Sequence, residues 1–138
     1  MSLIRLVPAG VHGLGDYAAG LVLLIVGLAA DGPGSARATG IVLGAVLILV
    51  SLFTRYPLGA VRVIPFPVHS AGDYIGGIAA ILAPFVLGFY DDNKGVAATY
   101  IVVGAVVIGL SLITDYSWGP DRQHIAADRG APVRAGRR

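Results

Sequence analysis

Four apolar segments, at about residues 14–30, 38–53, 71–89 and 96–113, run along the chain with short polar interruptions between them. Each comes near the ~20 residues that an α-helix needs to cross ~30 Å of hydrocarbon. Apart from Asp16 and Asp73 the segments carry no charge. Inside a bilayer the backbone polar groups must be satisfied within the segment, so the valine- and isoleucine-rich runs predict helices, not strands. The punctuation agrees. Asp31-Gly-Pro-Gly-Ser closes the first segment, the Asp91-Asp-Asn stretch through Gly95 closes the third, and residues 54–68 between the second and third hold Pro57, Pro65 and Pro67. An N-terminal signal peptide, with Arg5 as its basic end and residues 21–30 as its core, fits less well, because three more spans follow and the first belongs to a repeat.

The repeat shows when residues 5–20 are laid on 62–77. Arg5/Arg62, Pro8/Pro65, Val11/Val68, His12/His69, Gly15/Gly72, Asp16/Asp73, Tyr17/Tyr74 and Gly20/Gly77 coincide, eight identities in sixteen positions. Three residues are then inserted, and at an offset of 60 Gly44/Gly104, Ser51/Ser111, Leu52/Leu112, Thr54/Thr114, Tyr56/Tyr116 and Gly59/Gly119 match. Each copy holds two spans, so both enter the membrane in the same direction. The expectation is an all-α polytopic membrane protein of four transmembrane helices, built as two tandem helix-pair repeats about a pseudo-twofold axis along the membrane normal. Repeat one covers 5–59 and repeat two 62–119, within a transmembrane domain spanning 1–120. Gly40/Gly44 and Gly72/Gly76 have the small-xxx-small spacing that lets helices approach closely.

Composition supports lipid as the solvent: 56% of the 138 residues are hydrophobic and 13% are charged, with a mean hydropathy of +0.79, against about a quarter charged in soluble domains. The pI of 9.2 does not mark a nucleic-acid binder. Five of the ten basic residues are Arg122, Arg129, Arg134, Arg137 and Arg138, a basic tail (121–138) expected to be disordered and drawn to anionic headgroups. The N-terminus, the middle connection and the tail carry eight Lys and Arg, and the other two loops carry only Arg37 and Lys94. The positive-inside bias therefore puts both termini in the cytoplasm. Cysteine is absent, which removes thiolate metal sites and disulfides.

The candidate chemistry gathers at the cytoplasmic end. His12 and Asp16 lie four apart, as do His69 and Asp73, so each pair shares a helix face, and the repeat sets both at one depth. Arg55 and its counterpart Asp115, with Tyr17, Tyr74, Tyr56 and Tyr116, would complete a polar ring, and the opposite charges of Arg55 and Asp115 suggest an ion pair between the halves. Three readings stand side by side. The ring is a structural tie of helix ends, with Asp favoured at helix N-termini and Tyr in the interfacial belt. Or the imidazoles and carboxylates hold a metal or another ligand, as facing helices of a bundle do. Or they relay protons. No P-loop, G-x-S-x-G or HExxH signature is present, so no enzymatic activity is expected, and the cofactor is left open.

The stretch His69-Ser-Ala-Gly-Asp-Tyr, followed by Ile81-Leu-Ala-Pro-Phe-Val-Leu-Gly-Phe-Tyr and a second apolar helix, resembles the SPW-repeat family of small bacterial membrane proteins. Ala83-Pro84-Phe85 stands where the family has Ser-Pro-Trp, and Leu87-Gly88-Phe89 continues it; the first repeat has Gly27-Leu28-Ala29 near the corresponding place. Pro84 is expected to kink its helix near the outer end. The resemblance implies a bacterial inner-membrane protein and brings no catalytic residues. The function expected is structural or accessory, in the lipid bilayer and in association with itself or another membrane protein. Reporter fusions should place both termini inside and residues 91–94 outside; either terminus outside would overturn this orientation.

Overall fold

The computed structural model describes residues 6–116, which form four helices: α1 (Ala9–Ala29), α2 (Gly34–Phe53), α3 (Phe66–Val86) and α4 (Lys94–Ile113). The tail at 121–138 lies outside the described residues. Helix α1 leads into α2 through residues 30–33, where Gly32 takes φ 105°, and α3 leads into α4 through residues 87–93, where Gly88 takes φ 73°. Three helices, α1, α2 and α4, are long and apolar enough to cross a membrane. Helix α3 matches the 21-residue length of α1 and carries Pro84 in its last turn.

Prolines set the helix starts. Pro8, Pro33 and Pro65 sit at the N-cap positions with φ near −60°, and the backbone N–H groups of Val11 and His12 bond the Pro8 carbonyl just as Val68 and His69 bond Pro65. Helix α4 starts differently, with the Asn93 side chain accepting from the Val96 N–H at 3.1 Å. Hydropathy alone places the starts of α1 and α3 at 14 and 71; the helices begin five residues earlier. Polar residues at a helix end depress hydropathy without preventing helix formation. The third span likewise ends at Val86, three residues short of 89.

Each helix packs chiefly on its hairpin partner, α1 on α2 and α3 on α4, and the hairpins meet along α1–α4 and α2–α3. The crossings within the hairpins are glycine contacts. A Cβ on Gly44 would stand 2.6 Å from the Gly20 carbonyl oxygen, and one on Gly104 would stand 2.5 Å from that of Gly77. These pairs are equivalents in the repeat. Gly72 and Gly76, by contrast, have nothing within 4 Å of a built Cβ, so that spacing does not mark a close approach in this chain. Outward, Leu21, Ile25, Val42, Leu49, Ile75 and Val102 are all more than half exposed. An apolar surface of this extent suits hydrocarbon, not water.

The two repeats are also stitched crosswise at the helix ends. Leu6 and Val7 N–H groups bond the Ile113 carbonyl, and Val63 and Ile64 N–H groups bond the Phe53 carbonyl. Asp115 N–H bonds Val7, and Arg55 N–H bonds Ile64. Every bond of one set has its repeat equivalent in the other, which is the pseudo-twofold relation in atomic form.

Gly44→Val should lower the unfolding stability in detergent by about 1–3 kcal/mol or more, since the added carbons meet backbone and not a movable side chain. Gly76→Ala should change it by less than about 0.5 kcal/mol. Equal effects, measured by denaturant titration in micelles, would contradict this packing.

Candidate functional site: a buried His2Asp2 centre

Because α1 and α3 each begin beside a proline, His12 and His69 fall in the first turns, and Asp16 and Asp73 follow one turn deeper. The four side chains of the two helices converge between the repeats, and their exposures are 0%, 1%, 0% and 2% in that order. The Nε2 atom of His12 lies 3.2 Å from Asp16 Oδ2 and 3.2 Å from Asp73 Oδ2. The Nε2 atom of His69 lies 3.0 Å from Asp16 Oδ2 and 3.2 Å from Asp73 Oδ1. One donor atom from each of the four residues lies within 4.8 Å of all the others.

The far nitrogens are held by threonines of the opposite repeat. Thr114 Oγ1 donates its only proton to the Leu110 carbonyl at 2.6 Å, so toward His12 Nδ1, 3.0 Å away, it can only accept. Thr54 does the same, donating to Val50 at 2.7 Å and accepting from His69 Nδ1 at 2.9 Å. Both Nδ1 atoms therefore carry hydrogens. With a neutral imidazole, each Nε2 then presents a lone pair to the carboxylates. Among the described residues no fixed cation offsets those carboxylates: Arg37, Arg55, Arg62 and Lys94 are all exposed. Two carboxylates in a dry interior must be neutralised, and the arrangement can do so with protons held between imidazoles and carboxylates or with one divalent cation among the four donors.

Hydroxyls back the carboxylates. Ser111 Oγ donates to Asp73 Oδ2 at 2.7 Å. Its repeat equivalent Ser51 is fully buried, with its hydroxyl, like Asp16 Oδ1 and His12 Nε2, lacking a hydrogen-bond partner among the described residues. One turn outward an aromatic layer covers the centre. Phe66 stacks on Tyr56 with ring centroids 5.5 Å apart and planes 8° off parallel, and it meets Tyr116 at 4.5 Å and His12 at 5.4 Å. Burial pushes the Tyr56 phenol well up from its ordinary range. Burial also pushes Tyr116 up to about 12, outweighing the hydroxyls of Ser111 and Ser70 beside it, which pull the other way.

Of the polar ring expected from the sequence, the structure brings His12, Asp16, His69 and Asp73 into contact and leaves the rest at the rim. Tyr17 is half-buried, and its hydroxyl donates to the Leu58 carbonyl at 3.1 Å. Tyr74 and Asp115 are half-buried as well. Arg55 is exposed and directs Nε to the Arg62 carbonyl at 3.0 Å. The threonines carry the geometry and were visible beforehand only as a repeated identity, Thr54/Thr114. Phe66 gave no signal at all, since its counterpart is Ala9.

The sequence profile of the SPW repeat domain matches residues 10–114, and the chain belongs to that family. No curated protein and no solved structure matches it significantly.

The raised Tyr116 phenol has a consequence at high pH. The folded state holds that proton more tightly than the unfolded chain, so the associated stability is complete below pH 10 and is lost as pH rises through about 12. Tyr116→Phe should flatten that decline in micelle unfolding experiments; an unchanged slope would remove the phenol from the account.

Proposed function

We propose that this SPW repeat protein is a non-catalytic membrane protein that holds one divalent transition-metal ion between its two repeats. The observation that carries the reading is the set of four alternating N···O separations of 3.0–3.2 Å around the centre. A tetrahedron with the metal bonds of about 2.0 Å usual for zinc has edges of about 3.3 Å. The His–Asp contacts stand close to that edge length, and one donor atom from each residue lies within 4.8 Å of the others, so a modest contraction would close the set on an ion.

Three features of the chemistry support it. The threonine bonds orient the imidazoles with Nε2 inward, which is the outer-shell arrangement that raises ligand basicity and fixes the tautomer. A divalent ion balances the two carboxylates, so the occupied centre is neutral in a low-dielectric interior. His12 Nε2, fully buried and without a hydrogen-bond partner, gains a bond. Nitrogen and oxygen donors in tetrahedral array suit Zn2+ among common divalent ions.

Full coordination by protein atoms leaves no position for a substrate or an activated water, so the ion's role is structural. It would join α1 to α3 directly, and through Thr114 and Thr54 it would tie in α4 and α2. The protein thereby serves as an accessory component of a bacterial inner membrane, with both termini on the arginine-rich cytoplasmic side and the bilayer as its first partner. Self-association or pairing with another membrane protein belongs to the same reading.

Purified protein should bind one equivalent of Zn2+ per chain and gain about 2.7 kcal/mol of unfolding stability at a free concentration of 100 times Kd. A His12→Ala/His69→Ala double variant should lose both. Binding should also weaken on acidification, because protons compete for the donor atoms. Wild-type protein that takes up no metal from excess Zn2+ at neutral pH, with no change in melting, would leave the centre as a proton-bridged tie between helices and end this proposal.

A further inference from the structure

Resting on the metal-holding reading, we infer that the ion exchanges through the cytoplasmic end of the bundle and that Phe66 is the plug it must displace. Among the described residues the centre offers three directions of approach. Inward of Asp16 and Asp73 the bundle continues as Gly20, Gly77, Leu23 and Ala80 into an apolar core around Phe89 and Tyr100. Sideways, an apolar cavity of about 80 Å3 at the α2–α3 seam reaches Asp73, lined by Leu43, Leu47, Val50, Gly76 and Val103 among others. A cation taking that lateral route would have to come out of hydrocarbon, stripped of its hydration shell and with no polar group but Asp73 to receive it.

The outward direction is short. Phe66 stands three residues before His69, about 4.5 Å along the helix axis at 1.5 Å per residue, and it is 2% exposed. Its ring touches aromatic rings of both repeats: Tyr56 and His12 from the first, Tyr116 and His69 from the second. A residue that contacts both halves in this way sits at the pseudo-twofold axis. Only one ring fits there, and the equivalent residue, Ala9, supplies the space. The plug is thus a single side chain at the start of α3, directly after the 54–65 connection.

Beside the plug lie oxygen atoms with unused capacity. The hydroxyls of Tyr56, Tyr116, Ser51 and Ser70 are buried, Ser51 lies beside Tyr56 and Ser70 beside Tyr116, and none of the four makes a hydrogen bond of good geometry among the described residues. With the Phe66 ring swung aside, these oxygens line a path from the interface to the four donors and replace part of the hydration shell of a passing ion. No comparable set of oxygens lines the seam cavity.

The test is the rate of Zn2+ release from loaded, full-length protein in detergent to an excess of a chromogenic chelator. Phe66→Ala should release the ion roughly tenfold faster or more than wild type, as removal of a gate does, with the stoichiometry unchanged. Phe66→Leu, which keeps more of the packing, should fall between them and serves if the alanine variant folds poorly. Val50→Leu, which gives the seam the side chain that its counterpart Leu110 already provides against Gly15, should leave the rate alone. Loaded Phe66 variants with the wild-type rate, or a slowed Val50→Leu, would overturn the axial route while the metal site stands. Wild-type protein that never loads Zn2+ would instead remove the site itself, and the gate with it.

Discussion

An imidazole buried in a membrane-embedded bundle needs partners for both of its nitrogens, and here the two nitrogens of each histidine look in opposite directions. On one side His12 and His69 face the carboxylates of Asp16 and Asp73; on the other they donate to Thr114 and Thr54, each from the repeat that does not contain the histidine. Because the threonine hydroxyls are already committed to the carbonyls of Leu110 and Val50, the direction of every proton outside the centre is set. The helix ends, the crosswise backbone bonds of residues 6–7 and 63–64, and the position of the aromatic layer all follow from keeping those contacts in register. Loss of one partner would strand a polar atom with no water to replace it.

The duplication builds the centre economically in sequence terms, since one His-x-x-x-Asp unit and one distant threonine, written twice, yield four donors and two supports. The places where the copies have diverged are equally informative. Phe66 stands where repeat one has Ala9, because two rings cannot share the axis. Ser70 stands where repeat one has Gly13, and Gly13 is required by the Tyr56 ring lying against it. Val50 against Leu110 and Gly76 against Ala19 open the α2–α3 seam, whereas Leu110 fills the other seam against Gly15. The twofold relation therefore holds for the donors and their supports and is broken around them, by side chains that meet at the axis or line the seams.

The resemblance noted from Leu87-Gly88-Phe89 and its surroundings is matched by the family profile over residues 10–114, although the namesake triplet reads Ala83-Pro84-Phe85 here. What the profile covers is the helical frame that holds the His–Asp units: Gly88 takes the positive φ that ends α3, and Phe89 is fully buried against Tyr100 at the far end of the bundle.

Helical class, the number of helices, the repeat and the pairing of His12 with Asp16 and of His69 with Asp73 were legible in the sequence, because each depends on local order: runs of apolar residues, four-residue spacing, and identity at a fixed offset. The helix starts were less so, since Pro8 and Pro65 begin helices whose first turns are too polar to register as hydropathy. That His12 answers Thr114 and not a residue of its own repeat, that Arg55 and Tyr17 stay at the rim, and that Phe66 closes the centre were decided only in three dimensions. The physical reason is that burial and the direction of a hydrogen bond depend on how α1 and α3 face each other across the axis, and a linear pattern fixes which residues share a helix face without fixing which faces meet.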